Sequence, residues 1–391
     1  MKIVADENMP GLEQLPDDVQ LLRLPGRQLG PAQVADADAL LVRSVTRVDR
    51  ALLAGSTVSF VGSATIGTDH LDLHWLQSAG IRTAWAPGCN AMAVAEYVLQ
   101  AVLAWLLERG ETPVGLTVGL LGAGNVGARV GWLLEALGCQ VRFSDPPREQ
   151  AGEAAPVGQW ASVDELLGSR VLSLHVPLVT GGPWATAGFI DRQRLARFGP
   201  DQLLINTCRG AVVDNQALLA RLQAAGPPQV VLDVWENEPR ILAPLCRRVR
   251  LATPHIAGYT VQGKRRGTAM VLAALAEAAG RGWRLPWPSG PQRQLHSRVL
   301  TAADLLALLR SEYQPERDGQ ALAASLAAAD PGLAFDGLRR EYPERHELGG
   351  SSVAAVSDDL AAVLRRLGVG WGREPASSDP AAQWLAGSCS R

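Results

Sequence analysis

The stretch Leu116-Thr-Val-Gly-Leu-Leu-Gly-Ala-Gly-Asn-Val-Gly-Ala-Arg-Val-Gly-Trp-Leu-Leu134 limits what this chain can fold into more than any other. An apolar run of strand type leads into Gly122, Gly124 and Gly127, spaced G-x-G-x-x-G, and then into a pattern of helical period. Strand, glycine turn and helix in that order predict the first unit of a dinucleotide-binding sheet. One glycine permits a tight turn, another lets the backbone approach a pyrophosphate, and the last lets helix and strand pack closely. Phosphate then rests on the unpaired N–H groups of the helix N-terminus, which opens with Asn125 and Val126. The bland alternative is a glycine-rich turn without a ligand.

The next segment favours the ligand. Gln140-Val-Arg-Phe-Ser-Asp145 reads as a second strand ending in an acid 18 residues beyond Gly127. A dinucleotide unit needs a carboxylate there for the adenosine ribose hydroxyls. A carboxylate would repel the 2′-phosphate of NADP, so Asp145 points to NAD, although Arg148 is near. On its own, Asp145 could equally be a turn residue before Pro146 and Pro147.

The 391 residues suffice for two or three domains, and 47% apolar against 19% charged residues supports well-buried cores. A formal charge of −2 gives no electrostatic reason to expect nucleic acid or an anionic membrane as partner. Cys89, Cys139, Cys208, Cys246 and Cys389 are scattered, without C-x-x-C or Cys/His ligand spacing, so no metal site is expected and a reduced, cytoplasmic setting is. The N-terminal Lys2-Ile-Val-Ala-Asp6 looks like a strand rather than the apolar core of a signal peptide. No uninterrupted apolar run reaches the ~18 residues of a membrane span.

Up to about residue 90, apolar runs at Ile3–Ala5, Gln20–Leu24, Ala39–Arg43, Val58–Gly62 and Ile81–Ala86 alternate with polar helical stretches. That alternation predicts a parallel sheet covered by helices. Ligands of such sheets collect at the carboxyl ends of strands, so the turns Arg43-Ser44-Val45-Thr46 and Ser63 to His70 are candidate substrate loops. Each alone could be an ordinary hydrogen-bonded turn. Ala91–Glu108, with Asn90 as N-cap candidate, reads as a long buried helix leaving the first domain. Further strands at Arg170–Val176, Gln202–Thr207, Gln229–Trp235 and Val249–Thr253 bring the second sheet to about six. Thr260–Gly282 is again helical and long enough to return the chain to the first domain. Pro286-Trp-Pro-Ser-Gly-Pro291 is the clearest linker. Beyond it, helices are expected near Ala303–Glu312 and Ser357–Leu367, with a charged stretch at Phe335–Leu348 and a loose tail from about Gly368.

Three segments after the glycine loop each put a reactive side chain just past a predicted strand: Arg209, Asp233 with Glu238, and His255. Oxidation of a 2-hydroxy acid needs these kinds of group. A histidine can take the hydroxyl proton as hydride leaves C2. A carboxylate beside it fixes the tautomer. A guanidinium grips the substrate carboxylate in bidentate fashion. Singly, each is more often a solvated turn residue; together, beside a dinucleotide motif, Arg209, Glu238 and His255 form a coherent set.

Over residues 1 to about 285 the chain resembles the D-isomer-specific 2-hydroxyacid dehydrogenase family. The matching phrases are Gly122-Ala-Gly-Asn-Val-Gly127, Asn206-Thr-Cys-Arg-Gly210, Asp233-Val-Trp-Glu-Asn-Glu-Pro239 and Thr253-Pro-His255. The resemblance implies a fold of two doubly wound, Rossmann-like parallel-sheet domains, the substrate-binding one (1–90, completed by about 259–285) and an NAD-binding one (91–258). It implies Arg209, Glu238 and His255 as the catalytic set. NAD contacts would fall on Gly122, Gly124, Asn125, Val126, Gly127, Asp145, Asp233 and Gly258, and on Val176, which has a backbone to offer but no hydroxyl. Substrate contacts would fall on Ser44, Thr65 and Tyr259, with Arg43 added for charge. Phrases such as Ala5-Asp-Glu-Asn-Met-Pro10, Val42-Arg-Ser-Val-Thr46 and His255-Ile-Ala-Gly-Tyr-Thr260 match a branch whose substrate is a small phosphorylated 2-hydroxy acid. That branch carries a smaller C-terminal α+β dimerisation domain, here 286–391, and implies a homodimer. A sibling acting on 3-phosphoglycerate, glyoxylate or hydroxypyruvate remains open, as does a non-catalytic NAD-sensing protein.

Overall fold

The computed structural model describes residues 1–288, 290, 292–372 and 376. It divides into two compact units, one of Met1–Asn90 with Thr260–Ser289 and one of Ala91–Tyr259 with Gly290–Arg391.

In the first unit, β1 (Lys2–Asp6), β2 (Gln20–Leu24), β3 (Ala39–Val42), β4 (Phe60–Ser63) and β5 (Arg82–Trp85) form one parallel sheet in the order β2-β1-β3-β4-β5. Strands β3 and β4 are buried along their whole length, as parallel strands covered on both faces must be. One face packs Ile3, Leu41 and Phe60 against Val271, Leu272 and Leu275 of the helix Val261–Ala278; the other packs Val4, Leu40 and Val61 against Val34, Leu53 and Leu76. The long helix comes so close that a Cβ on Gly62 would collide with Val271. Thr260 caps it by accepting from Gly263 N–H at 3.0 Å. Both candidate substrate turns leave the carboxyl ends of neighbouring strands, Arg43–Thr46 after β3 and the turn to His70 after β4.

The second unit is built on β6 (Thr117–Leu121), β7 (Gln140–Ser144), β8 (Gln159–Trp160), β9 (Val171–Leu174), β10 (Leu203–Asn206), β11 (Gln229–Leu232) and β12 (Leu251–Ala252). They make a seven-stranded parallel sheet in the order β12-β11-β10-β9-β6-β7-β8. The order reverses beside β6, the strand that carries the glycine loop, and that is where open sheets of this kind bind ligands. The helix Ala91–Glu108 is buried from Ala91 through Leu106. It has the length and hydropathy to cross a membrane, yet 89% of that span lies inside the fold.

The C-terminal segment supplies β13 (Gln294–Val299), β14 (Ser352–Val356) and β15 (Gly370–Trp371), a small parallel sheet in the order β13-β14-β15. Expected as a domain of its own, this segment packs into the same compact unit as the seven-stranded sheet. Leu305, Leu308 and Leu309 join the core of Val98, Val102 and Trp105, and Leu360, Val363 and Leu364 join that of Val130 and Leu134. The tail expected to be loose from about Gly368 starts ordered, since Gly370 N–H bonds the Ser351 carbonyl and β15 follows. The rest of that tail, Ala376 apart, lies outside the described residues.

Candidate active site

The glycine loop meets its steric requirements. Gly122 sits at φ +95°, and a Cβ there would lie 2.5 Å from the His175 carbonyl oxygen. A Cβ on Gly127 would run into the Gly122 carbonyl. Gly124 has nothing within 4 Å of where its Cβ would be, so the N-terminus of the helix Asn125–Ala136 is uncovered. Asp145 follows β7, and its Oδ2 accepts from Ala123 N–H at 2.8 Å, which ties the acid to the glycine loop. This is a cradle in which NAD fits: a close backbone approach at Gly124, free helix N–H groups for pyrophosphate and a carboxylate beside the loop. Val176 and Gly258 are half-buried, Val176 lying against Gly122.

The three candidate catalytic residues emerge from the carboxyl ends of β10, β11 and β12. Asn206, fully buried, holds the first turn: its Oδ1 accepts from Cys208 N–H at 3.1 Å and its Nδ2 donates to the Arg209 carbonyl at 2.9 Å. Gly210 then passes so close to the Trp235 carbonyl that any side chain would collide with it. The turn bearing Arg209 is thereby pressed onto the turn that leads to Glu238. Arg209 is half-buried, and Nη1 donates to the Cys208 carbonyl at 2.7 Å.

Glu238 and His255, 17 residues apart in the chain, meet at 2.7 Å between Oε2 and Nδ1. The other carboxylate oxygen of Glu238 accepts from Trp235 N–H at 2.8 Å. Burial pushes the Glu238 carboxyl up, but the charge and hydrogen bond of His255, the charge of Arg339 and the Trp235 N–H outweigh it, and the net shift is downward. Glu238 is therefore a carboxylate at neutral pH. Among the described residues, the two non-glycine residues with positive φ are Asn237 at 59°, next to Glu238, and His255 itself at 58°. Backbone held in that region at a bulky residue is costly and marks a position fixed by its surroundings.

Asp233 fixes the turn that carries His255. Its buried carboxylate accepts from Thr253 Oγ1 at 2.6 Å, Ile256 N–H at 2.8 Å and Ala257 N–H at 3.0 Å. Tyr97 hydroxyl lies 2.9 Å from Thr253 Oγ1, and Trp235 Nε1 donates to the Thr253 carbonyl at 3.0 Å. From the C-terminal segment, Arg345 donates to the carbonyls of Ile256 and Ala257 at 3.3 and 3.2 Å. Arg339 Nη2 donates to the Tyr259 hydroxyl at 3.0 Å. Neither arginine shows in the sequence as part of this site, because they lie 80 and 89 residues from Tyr259 and Ile256. Both fall in the charged stretch Phe335–Leu348.

In the first unit, Thr65 Oγ1 donates to the Gly67 carbonyl at 2.9 Å and lies 2.7 Å from Ser63 Oγ, which itself lies 2.8 Å from His70 Nε2. Ser44 is exposed and Arg43 half-buried, both on the turn after β3.

Comparison with known proteins adds to this geometry. The family model described as D-isomer specific 2-hydroxyacid dehydrogenase, NAD binding domain, matches residues 100–257. The erythronate-4-phosphate dehydrogenase of Marinobacter nauticus is 47% identical, with 93% of this chain and 98% of the relative covered. That of Pseudomonas aeruginosa is 45% identical, with coverages of 94% and 99%. Among solved structures, the TT0316 protein of Thermus thermophilus superposes with a TM-score of 0.61 at 27% identity, over 74% of this chain and 99% of its own.

Proposed function

The chain belongs to the erythronate-4-phosphate dehydrogenase family, and from that premise we propose that it oxidises 4-phospho-D-erythronate to 2-oxo-3-hydroxy-4-phosphobutanoate, a step of pyridoxal phosphate (vitamin B6) biosynthesis. The cofactor is NAD, held by Gly122 to Gly127 and Asp145, and when bound it accepts the hydride from C2. The observation that carries the reading is the 2.7 Å contact between Glu238 and His255 at the carboxyl end of the cofactor-binding sheet.

Glu238, anionic and half-buried, accepts a hydrogen bond from Nδ1–H of His255 and leaves Nε2 as the basic nitrogen. Nε2 takes the proton of the C2 hydroxyl as the C2–H bond gives up its electron pair, so a carbonyl forms and imidazolium is left against the Glu238 carboxylate. Proton transfer by a positioned base contributes ~10²–10⁴ in rate. Arg209 binds the substrate carboxylate through its planar guanidinium fork. Asp233 orients the His255 turn and keeps its assignment to the cofactor. Tyr259, Ser44, Thr65 and Arg43 are assigned to the substrate, and Val176 and Gly258 to the cofactor.

The C-terminal segment is proposed as the contact of a homodimer, to be read as a doubled mass by light scattering. Cys89, Cys139, Cys208 and Cys246 are buried free thiols, in keeping with work in the cytoplasm. NADH absorbance with a panel of 4-phospho-D-erythronate, 3-phosphoglycerate, glyoxylate and hydroxypyruvate tests the function. Preference for the first is expected. Preference for another would make this a sibling dehydrogenase, and no turnover of any would favour an NAD-sensing protein.

A further inference from the structure

The helix Pro331–Arg340 is seated next to the segment that bears Glu238. Gly332 packs on Arg240 and Pro239, and Asp330 pairs with Arg240 at 3.3 Å while capping Gly332 and Leu333 N–H. Phe335 anchors the helix in the core that holds Trp235 and Leu245. Downstream, Tyr342 meets Tyr259 edge to face, with centroids 5.7 Å apart at 86°. These anchors fix where Arg339 goes. Its guanidinium lies 5.6 Å over the Tyr259 ring and donates to the Tyr259 hydroxyl.

Two features of Arg339, which is half-buried, leave its guanidinium able to take an anion. Its hydrogen bond goes to a neutral phenol, while the carboxylates of Glu238 and Asp336 act on it as charges. Its Nε is buried without a hydrogen-bond partner. A half-buried guanidinium with an unused donor retains capacity for an anionic acceptor. The charge also reaches the reacting groups, since Arg339 helps hold the Glu238 carboxyl down.

We propose that Arg339 binds the substrate's phosphate beside Tyr259 and so selects phosphorylated over unphosphorylated 2-hydroxy acids. The inference rests on the function proposed above: that substrate has two anionic ends, and Arg209 is engaged by the carboxylate. A phosphate offers three acceptor oxygens, which suit the planar fork of Nε and Nη donors, and the phenol of Tyr259 supplies one more donor. About a quarter of this chain has no counterpart in the TT0316 superposition, whereas the erythronate-4-phosphate dehydrogenases match it nearly end to end.

The test uses the full chain with saturating NAD. The ratio of kcat/KM for 4-phospho-D-erythronate to that for D-erythronate is measured in wild type, Arg339→Gln and Arg339→Lys. The ratio should fall about a hundredfold in Arg339→Gln, chiefly through KM for the phosphorylated acid, and about tenfold in Arg339→Lys, which keeps charge but loses the fork. Equal fractional losses on both substrates would overturn the proposal, as would no loss. NADH fluorescence titration and melting temperature establish that each variant is folded. Inorganic phosphate, titrated by calorimetry, gives a second arm: weaker binding in Arg339→Gln supports the proposal and unchanged binding overturns it. Should wild type fail to oxidise 4-phospho-D-erythronate, the functional reading falls, and the phosphate arm still decides the role of Arg339.

Discussion

Asp233 and Arg345 grip the same two residues, the carboxylate taking the N–H groups of Ile256 and Ala257 and the guanidinium their carbonyls. The turn that begins at His255 is thus held by both its donors and its acceptors. Arg345 also donates to the Ala93 carbonyl and lies 3.7 Å over the Tyr313 ring.

Removing that guanidinium should therefore cost both stability and turnover. Arg345→Met takes a donor from the carbonyls of Ile256, Ala257 and Ala93, of which that of Ile256 keeps the Tyr259 N–H, and removes the cation beside Glu96. A loss of about 1–3 kcal/mol is expected, as for buried acceptors deprived of a donor. Chemical denaturation gives the stability, and kcat measured on the folded fraction reports on the His255 turn. A full kcat in folded protein would mean that Arg345 serves the core alone.

The glycines of the cofactor loop should separate into two kinds. Gly127→Ala places a methyl on the Gly122 carbonyl, so the melting temperature and NADH affinity fall together. Gly124→Ala meets no atom within 4 Å in the protein itself. Its melting temperature should stay close to wild type while NADH binding weakens by at least about tenfold, because the methyl occupies the path of the pyrophosphate. Unchanged NADH binding in Gly124→Ala would count against the pyrophosphate site.

Burial and the charge of Glu347 push the Glu96 carboxyl up to about 8, against the opposing pull of the Leu348 N–H and Arg345. In the unfolded chain the same group titrates near its ordinary 4.5. The folded state thus holds a proton that the unfolded state has released over that interval, and this contribution to stability is lost as pH rises toward about 8. Glu96→Gln keeps an oxygen for Leu348 N–H and does not titrate. Melting curves across this range should show wild type losing stability relative to Glu96→Gln as pH rises. Parallel curves would contradict the assignment.

Much of this was legible in the sequence, and for identifiable reasons. The helix Ala91–Glu108 and the strand Gln20–Leu24 have the expected bounds, because each has a clear apolar run with punctuated ends. Strand β8 escaped notice because two residues, Gln159 and Trp160, are too short to show alternation. Strand β13, Gln-Leu-His-Ser-Arg-Val, is largely exposed and polar, so no buried face shows in its pattern. The pairing of Glu238 with His255 followed from their places after successive strands. The roles of Asn206, Gly210 and Arg345 did not, because hydrogen bonds to backbone and close backbone approaches leave no periodic signal. The buried carboxylate of Asp233 shows the same limit: its three donors within the fold were invisible in the sequence.

Asp145 makes a selectivity prediction. Asp145→Asn keeps an oxygen for Ala123 N–H but removes the charge that opposes a 2′-phosphate. The preference for NAD over NADP, measured as a ratio of kcat/KM, should drop at least about tenfold. A preserved ratio would shift the discrimination to other residues.

The most direct test is the rate of NADH formation from 4-phospho-D-erythronate by wild type and by His255→Asn. We predict turnover by wild type and a fall of at least ~10² in kcat for the variant, with NADH affinity retained, since the lost group is the base and not a cofactor ligand. Near-normal turnover by His255→Asn would contradict the role given to His255.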